Sequence, residues 1–141
     1  FINIYHIGST AIPNMPAKPT IDILLEVENI DLVDACNADM AAIGYEAWGE
    51  YHIPGRRFFV KGDDKRTHHV HTFQKGSSDI IRHIYFRDYL IAHPDEAWKY
   101  AELKMRLAKE FKHDRRGYVT NKSAYVVALE ERAKEWYQGL S

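Results

Sequence analysis

Asp22 is the residue least at home among its neighbours. It stands between Ile21 and Ile23 in Thr20–Val27, an almost continuous apolar run that reads as a strand covered on both faces. Aspartate is poorly suited to a strand interior, and its burial without a partner is expensive. Two explanations fit: a salt bridge to Lys18 or Arg66, or a carboxylate that binds a metal or another cation at the sheet edge. Glu26 shares its face but lies roughly 13 Å along the strand, too far to share one metal ion.

Histidines supply the second cluster. Three of the eight fall within four residues, as His68, His69 and His71. On a strand, His69 and His71 share a face and His68 takes the other. His-x-His on a strand can place two imidazoles on one metal, although ordinary hydrogen-bonded histidines show the same pattern. His6 could reach the same region if its strand neighbours that of Asp22. Asp22 and His71 are thus the candidate catalytic pair, and Asp22, His71, His69 and His6 the candidate metal ligands.

The third group is cationic. Arg87, Lys104 and Lys122 each fall within the apolar stripe of a helical segment. Each needs a carboxylate, a carbonyl or an anionic ligand, or must snorkel at the stripe edge. They are candidates for neutralising phosphate charge, with Gly8, Ser9, Thr10 and Lys18 at the phosphates.

The elements that must position these groups are legible in order. Residues 1–7 read as a strand. Gly8-Ser9-Thr10 is a turn, with Ser9 or Thr10 able to cap a short helical turn, and Pro13, Pro16 and Pro19 constrain the loop after it. Asp31 can cap a helix carrying Leu32, Val33, Cys36, Met40 and Ile43, stopped by Gly44. Residues 45–51 suit an extended segment. Residues 56–61 and 66–73 form a hairpin over Gly62-Asp63-Asp64-Lys65. Helices are predicted from Ser77 or Ser78 to about Ala92, from Pro94 to about Phe111, and from Asp114 or Thr120 to about Tyr137. Strands early and helices late predict an α+β domain, with a mixed four- to five-stranded sheet packed against helices and a helical C-terminal half.

The 141 residues suit one domain with a real core, over the whole of 1–141. With 45% hydrophobic and 28% charged residues, the balance is that of a soluble globular chain. A net charge of −1 signals no broadly basic surface, and Arg56-Arg57 and Arg115-Arg116 read as solvated pairs, so nucleic acid is an unlikely partner. The single Cys36 fits a reducing cytoplasm. No apolar run approaches the roughly 20 residues of a membrane span. Opening on Phe1, the chain reads as lacking a native N-terminal segment.

Assembled in order, these marks resemble the GrpB family, which is placed in the nucleotidyltransferase superfamily. The resemblance covers nearly the whole chain. It rests on His6-Ile7-Gly8-Ser9-Thr10-Ala11-Ile12-Pro13, Ala17-Lys18-Pro19-Thr20-Ile21-Asp22-Ile23 and His69-Val70-His71. Phe86-Arg87-Asp88-Tyr89-Leu90, His93-Pro94, Tyr100-Ala101-Glu102-Leu103-Lys104, Tyr118 and Lys122 complete it. It implies a polymerase-β-like fold and a segment before Phe1. Some relatives are fused to dephospho-CoA kinase, which hints at nucleotide or coenzyme metabolism. Working enzymes of that superfamily carry Gly-Ser, then Asp-x-Asp, then a third carboxylate, and these acids hold two divalent ions. Here Gly8-Ser9 and Asp22 match, Leu24 replaces the second acid, and His71 or His69 stands in place of the third. One carboxylate with imidazoles suits Zn or Mn better than a Mg pair.

The expected function is therefore nucleotidyltransferase-like: a nucleotide or other phosphorylated small molecule bound with a divalent metal ion (Mg, Mn or Zn) at an Asp/His site. A catalytically silent binding module and a metal-dependent phosphohydrolase are the alternatives.

Overall fold

The computed structural model describes residues 2–16, 19–63 and 65–139. Its five strands are β1 (Asn3–Ile7), β2 (Ile21–Val27), β3 (Tyr45–Ala47), β4 (Arg57–Lys61) and β5 (His68–Gln74). They form one mixed sheet in the order β1-β2-β5-β4-β3. The β2/β5 pair is parallel, and β1/β2, β4/β5 and β3/β4 are antiparallel. Four helices follow the same chain order: α1 (Asn37–Ala42), α2 (Ser78–Ala92), α3 (Pro94–Glu110) and α4 (Arg115–Gly139). The α+β class, the five-stranded mixed sheet and the helical C-terminal half agree with the expectation.

The helix boundaries follow from their caps. Ser77 Oγ accepts from Asp79 N–H at the start of α2. Pro94 opens α3, where its missing N–H costs nothing. Asp114 Oδ1 accepts from Gly117 N–H and starts α4, so Asp114 and not Thr120 is the cap. The segment before α1 departs from expectation. Residues Ile30–Cys36 form a 3-10 helix capped by the Asn29 side chain, which accepts from Asp31 N–H at 3.0 Å. Asp31 is therefore not the cap. Leu32 and Ile43 are exposed, because a 3-10 turn followed by a six-residue helix does not sustain one apolar face. The strand β2 also differs from a strand sealed on both sides: Leu24 is fully buried, while Ile21 is exposed.

The chain divides into two compact units. The first comprises residues 1–11 and 17–83 and holds the whole sheet. Ile7, Leu24, Phe58, Phe59, Val60, Val70 and Phe73 are buried in it. The second comprises residues 12–16 and 84–141. Its core is Ile12, Tyr89, Leu90, Ala97, Tyr100, Leu129 and Ala133, with Met15 packed against it. Among the described residues no helix is long and apolar enough to cross a membrane.

Candidate functional site

Gly8 ends β1 with φ +75°, the left-handed region that glycine enters without steric cost. It also lies against Asp22: a Cβ at position 8 would stand 2.7 Å from Asp22 Oδ2. Both facts demand glycine. Ser9–Ala11 then form one 3-10 turn, closed by Ala11 N–H donating to Gly8 O at 3.1 Å.

Asp22 is aligned with His69 by the parallel register of β2 and β5. Aligned residues project to one side, so Asp22, His69, His71 and, across the next ladder, Phe58 share a sheet face. His71 Nε2 lies 3.1 Å from Asp22 Oδ1, and Arg56 Nη1 lies 3.1 Å from His71 Nδ1. A guanidinium can only donate, so Nδ1 is the acceptor and the imidazole proton sits on Nε2, donated to Asp22. The order Arg56, His71, Asp22 is thus a directed chain of hydrogen bonds. His69 Nδ1 approaches the same Oδ1 at 3.5 Å, within ion-pair range. The three side chains remain partly accessible, at 28% for Asp22, 30% for His69 and 14% for His71.

Arg56 is 5% exposed. Its Nε donates to Glu50 O at 3.2 Å and its Nη2 to Tyr51 O at 2.8 Å, and its guanidinium lies 4.4 Å from the Phe58 ring centroid. Burial, then the charge of Arg82, lowers its pKa, while Asp79 pulls the other way. His83, in the first half of α2, places its ring 5.6 Å from that of His71. Burial first, and neighbouring Arg82, push its pKa down to about 3, which keeps it neutral. Burial also lowers the His69 pKa, with Asp22 opposing and His71 and Arg66 adding to the fall.

The donor set does not fit a pair of divalent ions. Among the described residues Asp22 is the only carboxylate paired with His69 and His71, and Leu24, where a second acid would stand, is 0% exposed. A single ion fits poorly too. A metal-bound imidazole donates its other N–H to an acceptor, whereas His71 Nδ1 faces the donor Arg56. Among the described residues no group of three or more His, Cys, Asp or Glu is arranged to hold a metal.

The remaining candidates are placed differently. His6 aligns with Ile23, not Asp22, so it projects to the opposite face, with Nε2 2.8 Å from Thr10 Oγ1. It is therefore not brought to Asp22 as a metal ligand. Lys18 lies outside the described residues. Arg66 does not pair with Asp22; it donates to Gly62 O and lies over Trp48. Arg87, Lys104 and Lys122 belong to the second unit. There Arg87 Nε pairs with Asp88 Oδ1 at 2.9 Å. Lys104 Nζ lies 4.7 Å from the Tyr100 ring centroid, and Lys122 Nζ 5.8 Å from that of Tyr118. Burial and then the Lys122 charge lower the Lys104 pKa to about 8.

Arg56 and His83 are the members of the cluster that reading the sequence missed. Strand alternation carried a signal for the first, since Arg56 has the parity of Phe58 and Val60.

A solved structure shares this arrangement of elements. A crystal structure of conserved protein GrpB from Enterococcus faecalis superposes with a TM-score of 0.90 at 41% identity, over 97% of this chain and 82% of that one. The UPF0157 protein YqkA of Bacillus subtilis is 49% identical over 138 residues, 98% of this chain. A UPF0157 protein of Pseudomonas aeruginosa is 40% identical over 94% of this chain. The chain spans 40% of the length of the former and 55% of the latter. A more distant likeness, 27% identity, runs to part of a dephospho-CoA kinase of Mycobacterium bovis, 39% of its length. The family model described as GrpB protein matches residues 1–132, and the chain belongs to the GrpB family.

Proposed function

We propose that this chain is a nucleotidyltransferase-like module that binds a nucleotide or another phosphorylated small molecule and does not carry out two-metal nucleotidyl transfer. The observation that carries this reading is the state of Asp22. Its Oδ1 is held by His71, whose other nitrogen is held by Arg56, and buried Leu24 stands where a second acid would be. The close packing of Gly8, at the head of the Gly8-Ser9-Thr10 turn, against Asp22 supports a phosphate held by that turn beside the carboxylate. The likeness to part of a dephospho-CoA kinase supports a phosphorylated ligand.

Calorimetric titration of ATP, GTP, CTP and UTP, in EDTA and with Mg²⁺, Mn²⁺ or Zn²⁺, tests it on wild type and Asp22→Asn. Binding in EDTA is expected. Removing a negative charge beside the phosphates should tighten it about two- to tenfold in the variant. Loss of binding in Asp22→Asn together with a requirement for a divalent ion would restore metal-dependent transfer or hydrolysis. Identical affinities would place the ligand elsewhere.

A further inference from the structure

The loop between β3 and β4 carries two consecutive non-glycine residues in the left-handed region, Tyr51 at φ 44° and His52 at φ 71°. Such strain persists only where the surroundings over-determine it, and it concentrates at functional sites. Here the surroundings are identifiable. Buried Arg56 binds the carbonyls of Glu50 and Tyr51. Gly55 N–H donates to Glu50 Oε2 at 2.7 Å. Trp48 N–H donates to Phe58 O and Phe58 N–H to Gly49 O, each at 2.8 Å.

The strained backbone sets an aromatic stack. Tyr51 lies nearly parallel to Phe58, at 10° with centroids 5.6 Å apart, Trp48 makes T-shaped contacts with both, and the His52 ring lies 5.0 Å from Tyr51, tilted by 43°. Phe58 in turn packs on His69 and His71, at 5.3 and 5.0 Å. A continuous run of rings therefore leads from the imidazoles at Asp22 out to Tyr51, which is 48% exposed. The side chain that fixes His71 is also the one that fixes the Tyr51 carbonyl.

We infer that Tyr51 is a stacking platform for a planar aromatic ring, of the nucleobase class, in the ligand whose charged end lies at the Gly8–Asp22 turn. The inference rests on the phosphorylated-ligand reading for the position of that charged end. Stacking on a ring is tolerant of base identity. Recognition of the four bases should thus be similar, with Arg56 a positioning residue that holds the platform and the imidazole in one register.

The test titrates the whole chain with the four nucleoside triphosphates, the four nucleosides and inorganic tripolyphosphate. Wild type is compared with Tyr51→Ala, Tyr51→Phe and Tyr51→Gly, the last relieving the backbone strain so that a folded variant without the ring is in hand. Triphosphates should bind more tightly than tripolyphosphate. Tyr51→Ala and Tyr51→Gly should weaken triphosphate binding about 5- to 150-fold with tripolyphosphate unchanged, and Tyr51→Phe should restore it. Tripolyphosphate binding as tightly as the triphosphates, or both falling equally in Tyr51→Gly, overturns the platform and leaves the phosphate reading intact. Nucleosides binding in a Tyr51-dependent way while tripolyphosphate does not bind keeps the platform and overturns the phosphate reading. No binding by any of the nine overturns both.

Discussion

The two oxygens of Asp22 face different chemistry. Oδ1 accepts the hydrogen bond from His71 Nε2–H, and Oδ2 stands against the Gly8 turn. Substituting Gly8 by Ala therefore acts twice, through φ +75° and through a Cβ 2.7 Å from that carboxylate. We expect a loss of about 1–3 kcal/mol in urea unfolding, and displacement of the Asp22 side chain visible as altered His71 imidazole resonances. Misfit exposed Asp22 in the sequence: an acid in an apolar strand must be explained, and His69-x-His71 offered the nearest explanation. Arg56 escaped notice because Arg56-Arg57 looks like a solvated pair. The two arginines in fact diverge, one stacking on Phe58 and the other pairing with Asp34 at 2.9 Å. Nothing local in the sequence distinguishes those environments. The metal expectation rested on spacing, which places imidazoles but does not say which nitrogen carries the proton.

Among the elements, α3 and α4 carry cations inside their apolar stripes, and α3 shows what that costs. Lys104 is half-buried, held at a pKa of about 8 by desolvation and by Lys122. Its folded pKa lies below the unfolded value, so the native state binds fewer protons between pH 8 and 10.5. Stability should accordingly rise as pH increases through that window, and the contribution is lost as pH falls back through 8. Lys104→Met should flatten the rise and add about 1–2 kcal/mol at neutral pH, after allowance for solvent screening, in denaturant midpoints measured from pH 7 to 10.5. Element order, the hairpin and all three long helices were legible because their periods and caps are local. The 3-10 segment at Ile30–Cys36 was not, because its apolar residues fit a helix face that the tighter turn never forms.

At the scale of the molecule, the division into units does not follow the chain. Residues 12–16 leave the sheet unit and join the helical one, where Ile12 is 5% exposed in the core with Leu90, Tyr100 and Leu129. Ile12→Ala should therefore cost about 2–4 kcal/mol, and it should be felt in amide exchange of α3 and α4, far along the chain, more than in β4 and β5. The sheet unit has a seam of its own. Antiparallel neighbours join β1 to β2 and β3 to β4 to β5, but only the parallel β2/β5 ladder unites the two sets. Asp22 and His71 meet across that ladder, 49 positions apart in sequence. Closing so long a loop is entropically the hardest pairing in the sheet and a slow one to form. A ligand at Asp22, as proposed, would bind only chains whose two half-sheets have already been stitched together. By mass action it would hold the stitch closed, so binding there would report on the completeness of folding as well as on the ligand.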